Sequence, residues 1–285
     1  MNHLCHESDQ VVWLNGSFTP SHKAVISPLD RGLMYGDGLF ETMRSENGRV
    51  FYFLDHMDRL AHSLKALRIP ADLSFPWRDI LSELLRQNDL LEGVASVKMI
   101  VTRGICAGLG MPSPGHPTIC LSAQKYSPPP KERYESGWRL KIYRDGFAPP
   151  LAAHKTLNYL FFLMARQSAI DAGADEALVM DIEGNISEAS AGSLIARKAG
   201  RWWTPASSFQ LPGITLHNAM ELLTKSGQRL EKNPTTPDEL LSADTVWVLN
   251  SLIGIMPVSH IDGVQLPDPA THEASQLKHE IFRRG

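Results

Sequence analysis

A run of three prolines near the middle of the chain constrains the fold more than any other sequence feature. It lies within YSPPPKERYESG, residues 126–137. Proline lacks a backbone N–H and its ring clashes with the preceding turn, so successive prolines cannot occupy a helix interior or a central strand. The segment predicts a linker over 126–137. It would join a small N-terminal domain, residues 1–125, to a larger C-terminal domain, residues 138–285.

Strand-like and helix-like patterns alternate on both sides of this segment. Short apolar or alternating runs predict strands at VVWLNG, VFYFL (residues 50–54), SVKMIVTRG, PTICLSAQ, RLKIYRD, ADEALVMD, NISEAS, SLIARK and TVWVLN. Apolar residues at helical spacing predict helices from an N-cap at Asp55, over 76–91, over 156–173 and from Gly213. The pattern indicates an α/β protein, with a small α+β domain and a larger α/β domain. We expect the active site in the cleft between them, because ligand pockets favour such positions.

Composition narrows the classes of partner. Hydrophobic residues make up 43% of the chain and charged residues 21%, as in ordinary globular proteins, and the formal net charge is only −3. That charge is too small to attract nucleic acid or an anionic membrane, so a small-molecule substrate is expected.

Cysteine usage and hydropathy bear on the compartment. The N-terminal MNHLCHESDQ has no apolar core, and no stretch of about 20 apolar residues occurs, which predicts a soluble cytoplasmic protein. Cys5, Cys106 and Cys120 are odd in number and lack metal-ligand spacing, which indicates a reducing compartment and no metal site.

Lys155 is a candidate nucleophile. It lies in AAHKTLNYL, after an apolar stretch and just before a predicted helix rich in Leu, Phe and Met. Most lysines are solvated surface groups, and taken alone Lys155 would be one of them. A lysine desolvated in an apolar pocket has a lowered pKa, however, and its amine can then attack an aldehyde cofactor.

Glu188, in DIEGNISEASAGSL, is a candidate partner for such a cofactor. A carboxylate beside a pyridine nitrogen keeps the ring protonated, and a protonated ring withdraws electrons from a developing carbanion. An isolated glutamate is more often an exposed strand or turn residue. The pair therefore indicates cofactor chemistry only in combination with further motifs.

Six segments supply those motifs, in order along nearly the whole chain. They are SPLDRGLMYGDGLFETMR (27–44), HMDRL (56–60), HKTLNYL, DEALVMDIEGNISEAS, LPGIT (211–215) and LNSLIGIMPV. Together they resemble the class IV pyridoxal-phosphate enzymes of fold type IV. This family includes branched-chain aminotransferases, D-amino-acid aminotransferases and 4-amino-4-deoxychorismate lyases.

The resemblance implies a pyridoxal 5'-phosphate cofactor linked as a Schiff base to Lys155, with Glu188 at the pyridine nitrogen. It also implies the residues that contact the rest of the cofactor: Arg59, Tyr159, Ile214, Thr215 and Ser251. A guanidinium offers paired donors to phosphate, and the amides of a helix N-terminus attract anions, so these residue types suit the role. Because the family forms homodimers, a homodimer is implied as well.

Two positions depart from the family pattern. Ser193 stands where asparagine is usual, and Leu216 stands where an arginine often follows GIT. Neither is a catalytic position in the family. Asp30, Arg31 and Asp37 lie among glycines, and we interpret them as turn-forming residues that shape a pocket wall.

The segment Asn250–Val258 resembles the lyase version of this loop, and so does ICAGLGMP after Arg103. They predict a lyase that converts 4-amino-4-deoxychorismate to pyruvate and 4-aminobenzoate, a folate precursor. Arg103 and Asn250 are candidate ligands of the substrate carboxylates. The alternatives are an aminotransferase acting on D-amino acids or branched-chain L-amino acids, and a non-catalytic pyridoxal-phosphate-binding protein. Lys155 would move the same proton in either reaction.

Overall fold

The computed structural model describes residues 10–112 and 116–285, and it divides into two compact units. The first unit extends to Ser127 and includes Lys155–Asn158, whereas the second holds Pro128–His154 and Tyr159–Gly285. Cys5 and most of the N-terminal segment considered above lie outside the described residues. Among the residues that are described, no helix is both long enough and apolar enough to cross a membrane.

The first unit is a sheet with helices. Its strands are β1 (Val11–Leu14), β2 (Ser17–Pro20), β3 (Gly38–Glu46), β4 (Arg49–Val50), β5 (Val94–Ile105) and β6 (His116–Lys125). Its helices are α1 (Arg31–Tyr35), α2 (Phe53–Ala66) and α3 (Trp77–Gln87), and Ser21–Lys23 forms a 3-10 turn. Within the described ranges the strands form one sheet in the order β2-β1-β6-β5-β3-β4, and neighbouring strands are antiparallel.

The core of this unit is formed by apolar residues at helical spacing in α3 and at alternate positions in the strands. In α3, five apolar side chains at helical spacing are buried: Trp77, Ile80, Leu81, Leu84 and Leu85. Alternate residues of the paired strands join the same apolar core, among them Met43, Val97, Met99 and Leu121. The strands predicted at SVKMIVTRG and PTICLSAQ are confirmed as β5 and β6, which pair with each other.

The strand predicted over Val50–Leu54 is wrong beyond its first residue. Tyr52 adopts a positive φ of 53°, which ends the extended conformation, and α2 begins at Phe53. Asp55 therefore lies in the first turn of the helix and is not its N-cap. A carboxylate there still favours the helix, because it faces the positive end of the helix dipole.

The second unit is built around a larger sheet. Its strands are β7 (Trp138–Phe147), β8 (Glu176–Met180), β9 (Ile186–Ala189), β10 (Ser193–Lys198), β11 (Arg201–Pro205), β12 (Leu230–Asn233), β13 (Thr245–Asn250), β14 (Gly254–Ile261) and β15 (Val264–Gln265). Its helices are α4 (Lys131–Ser136), α5 (Leu160–Asp171), α6 (Ile214–Lys225), α7 (Pro237–Leu241) and α8 (Thr271–Arg284), with a 3-10 turn at Pro150–Ala153.

Parallel and antiparallel pairs are mixed in this sheet. In the part of the chain that the structure describes, the strand order is β12-β11-β10-β13-β14-β7-β8-β9, and β15 pairs with β14. The pairs β11–β12, β14–β7 and β7–β8 are parallel. Strands buried on both faces read as continuous apolar runs, which is why TVWVLN and SLIARK were recognisable. The predicted α/β class is confirmed.

The segment predicted as a linker contains a helix. After Pro130 the chain forms α4, whose Tyr134 packs on the core of the second unit and donates its hydroxyl to the carbonyl of Ile253 at 2.9 Å. The prolines precede the helix instead of interrupting it, which their missing N–H groups allow.

Candidate active site

The segment that carries Lys155 is held by β3. The amide of Phe40 donates to the carbonyl of Lys155 at 2.9 Å, and the amide of Leu157 donates to the carbonyl of Gly38 at 3.0 Å. A Cβ on Gly38 would lie 2.7 Å from the Val101 carbonyl oxygen of β5 and 2.8 Å from Cδ1 of Leu157, so glycine lets this strand fit between β5 and the Lys155 segment. The helix predicted over 156–173 consequently begins only at Leu160, because residues 155–157 use their backbone groups on β3.

Two ammonium groups lie against one aromatic ring in the first unit. The Nζ of Lys155 is 4.5 Å from the centre of the Phe40 ring, and the Nζ of Lys98 is 5.1 Å from it. Phe40 is buried, Lys155 is half-buried and Lys98 is exposed. The ring attracts both cations through its negative face and shields them from water on that side.

Arg59 is part of a buried charged cluster. Its Nε donates to Oε1 of Glu41 at 2.8 Å, and its Nη2 donates to Oε2 at 2.5 Å. The Nδ1 of His56 lies 2.7 Å from the same Oε2. Burial opposes ionisation of Glu41, but the hydrogen bonds from His56 and Arg59 and the charge of Arg59 lower its pKa to about 2. Glu41 is therefore an anion at neutral pH.

Arg103 does not fit the predicted role of a substrate ligand. It is 0% exposed, its Nε and Nη2 donate to Asp37, and Nη1 and Nη2 donate to the carbonyls of Arg68 and Leu67 at 2.6 and 2.8 Å. Burial opposes ionisation of Asp37, yet Arg103 and Arg31 lower its pKa. The guanidinium is committed to the fold, and the substrate assignment of Arg103 is withdrawn.

The polar residues of the glycine-rich motif make contacts within the fold. Asp30 accepts hydrogen bonds from the Thr102 and Thr118 hydroxyls at 2.9 and 2.6 Å. Arg31 donates to Asp37 and also to the carbonyls of Gly108 and Gly110. These contacts tie α1 to β5, β6 and the loop beyond β5.

In the second unit, Glu188 is a deeply buried carboxylate. It is on β9, opposite Val179 of β8, and only 5% of its surface is exposed. Its Oε2 accepts a long hydrogen bond of 3.4 Å from the amide of Leu211, in the segment that leads into α6. A carboxylate this deeply buried needs cationic or hydrogen-bond donor groups around it.

Tyr159 is anchored next to Glu188. Its hydroxyl donates to the carbonyl of Ser190 at 2.7 Å, and the Ser190 hydroxyl donates in turn to the buried Glu176, which also pairs with Arg166 at 2.5 Å. Burial, followed by the charges of Glu188 and Glu176, raises the pKa of Tyr159. The phenol therefore stays protonated at neutral pH and serves as a hydrogen-bond donor.

The N-terminus of α6 offers backbone donors. Within the described residues, the amides of Ile214 and Thr215 have no hydrogen-bond acceptor, and no side chain caps this helix. A Cβ on Gly213 would collide with the hydroxyl of Ser193, one of the two departures from the family pattern. Ser193 thus packs against the turn that presents these amides, which form a site suited to an anion.

Asn250 has a structural role that was not predicted. Its Oδ1 accepts from the amides of Leu252 and Ile253 at 3.0 and 2.9 Å, and its Nδ2 donates to the Ala191 carbonyl at 2.9 Å. It shapes the turn that carries Ser251 and ties it to the turn after Glu188. The assignment of Asn250 as a substrate ligand is withdrawn as well, because its amide is committed to the backbone.

Comparison with known sequences decides the family. A sequence model described as amino-transferase class IV matches residues 38–261, which is most of the chain. The chain belongs to the class IV aminotransferase family. This is the pyridoxal-phosphate enzyme family that its six segments resemble.

Relatives within the class IV family carry different names. A Methanocaldococcus jannaschii protein, provisionally assigned as a branched-chain-amino-acid aminotransferase, is 33% identical over 279 residues, 95% of each chain. The aminodeoxychorismate lyase of Vibrio harveyi is 28% identical over 90% of this chain and 92% of its own. The structure of the Escherichia coli branched-chain amino acid aminotransferase has a TM-score of 0.85 at 26% identity, covering 94% of this chain and 93% of that one. The predicted fold type is confirmed.

Two residues beside Lys155 and Arg59 were missed from the sequence, although a signal for each was present. In GLFETMR, Glu41 falls between Leu39 and Met43 on the core-facing side of β3, and a buried charge at such a position demands a partner. Lys98 alternates with Val97 and Met99 and therefore projects from the opposite face of β5. Strand alternation alone singles out both residues.

Proposed function

We propose that this chain is a 4-amino-4-deoxychorismate lyase that uses pyridoxal 5'-phosphate and releases pyruvate and 4-aminobenzoate. The observation that carries the choice is the segment Asn250–Val258, which resembles the lyase version of this loop. Its turn is closed by Asn250, and the residues that follow Ser251 and Leu252 are apolar and buried through Val258. The Vibrio harveyi relative supports the same choice.

The chemistry of the donor groups suits the cofactor. Lys155 would hold it covalently, and Glu188 would accept a hydrogen bond from its ring nitrogen. Its phosphate would be bound by Arg59, Ser251 and the amides of Ile214 and Thr215. The amides that lack acceptors in the described chain are what a phosphate needs.

The residues of the chain then have separate tasks in the reaction. Bound pyridoxal phosphate supplies an electron sink for the negative charge that develops at the amine-bearing carbon. The Lys155 amine removes the proton from that carbon, and Glu188 keeps a proton on the ring nitrogen. The bond from the adjacent carbon to the enolpyruvyl oxygen then breaks, the ring becomes aromatic, and the enol takes up a proton to become pyruvate. Atoms balance without water or a keto acid.

Lys98 replaces Arg103 as the proposed group for a substrate carboxylate. It is exposed, and its ammonium shares the Phe40 ring with that of Lys155. We expect Lys98→Met to raise KM for the substrate about 10-fold with a smaller change in kcat, as for loss of one charge-assisted contact. The exposed Lys125→Met, at the end of β6, is the matched control. Equal KM values in the two variants would remove Lys98 from the proposal.

The function is tested by incubating the purified protein with 4-amino-4-deoxychorismate and no keto acid. We expect equimolar pyruvate and 4-aminobenzoate, detected by a dehydrogenase-coupled assay and by fluorescence. Turnover that requires a keto acid acceptor would replace the proposal with transamination. Cofactor binding without turnover of any amine would indicate a non-catalytic pyridoxal-phosphate-binding protein.

Transamination is the second candidate because the 33% identical relative is assigned to it. In that reaction Lys155 would move the same proton on to the cofactor carbon, and water would release a keto acid. Panels of branched-chain L-amino acids and of D-amino acids with 2-oxoglutarate distinguish the two stereochemical versions.

A homodimer is proposed as well. The first unit exposes several large apolar side chains on α1, the segment before it and the loop after β5: Val25, Leu29, Leu33, Met34, Leu109 and Met111. Leu33 is 72% exposed and Leu109 90%. Apolar patches of this kind on a folded chain mark interaction surfaces. Sedimentation velocity should give the mass of two chains, and a monomer at micromolar concentration would contradict the proposal.

A further inference from the structure

We infer that Glu41 is a positioning residue for the phosphate-binding arginine: it holds the guanidinium of Arg59 by one edge. The inference rests on the proposed function, since it takes Arg59 to be a phosphate ligand. It adds a residue to which neither the family resemblance nor the relatives assign a role.

The geometry supports an anchor. Glu41 is on β3, the strand that also holds the Lys155 segment, and it is 1% exposed. Its two oxygens engage Nε and Nη2 of Arg59, which fixes the plane of the guanidinium. The Nη1 side lies outside this paired contact. An arginine immobilised in this way loses its side-chain freedom on folding, so less entropy is lost when it binds an anion.

His56 completes the anchor. It is as deeply buried as Glu41, and burial lowers its pKa despite the hydrogen bond to the carboxylate. A neutral imidazole can donate from only one nitrogen, and an ionised carboxylate can only accept, so Nδ1 carries the proton toward Oε2. Glu41 is thereby held from two sides, by a neutral donor and by a cationic one.

The direction in which one substitution changes the affinity for phosphate distinguishes a positioning role of Glu41 from a simple effect of its charge. Glu41→Gln removes a negative charge beside Arg59, so charge alone predicts tighter binding of a phosphate. Positioning predicts the reverse, because glutamine keeps only one acceptor oxygen and would turn an NH2 donor toward the N–H groups of Arg59 or His56. The two effects oppose each other, and the direction of the change identifies which one dominates.

The experiment compares pyridoxal 5'-phosphate with pyridoxal, which lacks the phosphate, by spectroscopic titration of the apoenzyme. We expect Glu41→Gln to weaken binding of pyridoxal 5'-phosphate roughly 10- to 100-fold and to leave binding of pyridoxal within about twofold. Glu46→Gln is the matched control. Glu46 is on the same strand, and its carboxylate accepts hydrogen bonds from Nε and Nη2 of Arg44. It should change neither affinity.

A second variant protects the test against misfolding. Arg59→Lys keeps the positive charge and leaves Glu41 in place, but lysine cannot form the two-point contact. Arg59→Lys should lose the preference for the phosphorylated ligand to a similar extent. The double variant Glu41→Gln/Arg59→Lys should bind pyridoxal 5'-phosphate no more weakly than either single variant. Additive losses would overturn the inference.

The remaining outcomes are decisive too. If Arg59→Lys loses the preference for phosphate and Glu41→Gln binds pyridoxal 5'-phosphate as tightly as the wild type or more tightly, the inference fails and the proposed function stands. If the wild type itself shows no preference for the phosphorylated ligand, the phosphate assignment of Arg59 fails, and the positioning role fails with it.

Discussion

Replacing Lys155 by alanine should abolish turnover and release the cofactor from its covalent link. The amine is the proposed attachment point and the proposed base, so a single change removes both functions. Positioned proton transfer alone contributes about 10²–10⁴-fold in rate. Because the covalent link is lost as well, we expect kcat to fall by about 10⁴-fold or more.

The measurement is made on the protein as purified with its cofactor. Borohydride treatment followed by peptide mass spectrometry should locate the cofactor on Lys155 in the wild type and nowhere in Lys155→Ala. Lys125→Ala, an exposed lysine of the same unit, controls for general loss of charge. The proposed function would not survive a Lys155→Ala variant that keeps both its bound cofactor and its turnover.

Replacing Glu188 by glutamine should give the second largest loss. Glutamine has nearly the same shape as glutamate but cannot hold a proton on a pyridine nitrogen through charge. A hydrogen bond to a charged partner is worth about 1.5–3 kcal/mol. We therefore expect kcat to fall about 10- to 100-fold, because the ring withdraws electrons less strongly without its proton.

The spectrum provides a readout that a packing defect would not move. Loss of the proton from the ring nitrogen should shift the absorption of the bound cofactor, whereas cofactor content should stay near that of the wild type. Glu183→Gln is the control, since Glu183 is an exposed residue of the same unit. Unchanged kcat and an unchanged spectrum in Glu188→Gln would rule out the role at the ring nitrogen.

Most elements of the fold were predictable because apolar residues recur within each of them at the spacing of a strand or of a helix. The antiparallel β5 and β6, the amphipathic α2 and α3 and the buried strands β8, β10 and β13 all follow from runs of apolar residues with period two or near 3.6. The errors lie where tertiary contacts override local preference. Residues 156 and 157 were predicted as the start of a helix, but the segment from Lys155 to Leu157 bonds to β3, where Gly38 leaves room for it.

The candidate site also contains residues that sequence motifs indicate and residues whose contacts only the fold reveals. Lys155, Glu188 and Arg59 could be proposed because their motifs occur in a fixed order, and order along the chain is visible in sequence. Arg103 and Asn250 were misassigned because a side chain's partners depend on the fold. Both are polar residues next to loops, and only the folded chain directs their donors to Asp37 and to backbone carbonyls.

The sequence by itself determined the family and the α/β class and supplied the candidate groups for the chemistry, because these depend on residue type and on spacing along the chain. Only the tertiary structure decided which charged groups face one another. The contacts of Glu41 with Arg59, of Lys98 and Lys155 with Phe40, and of Tyr159 with Ser190 join residues on separate elements. Such contacts arise from long-range strand pairing and helix packing, for which no local period exists in the sequence.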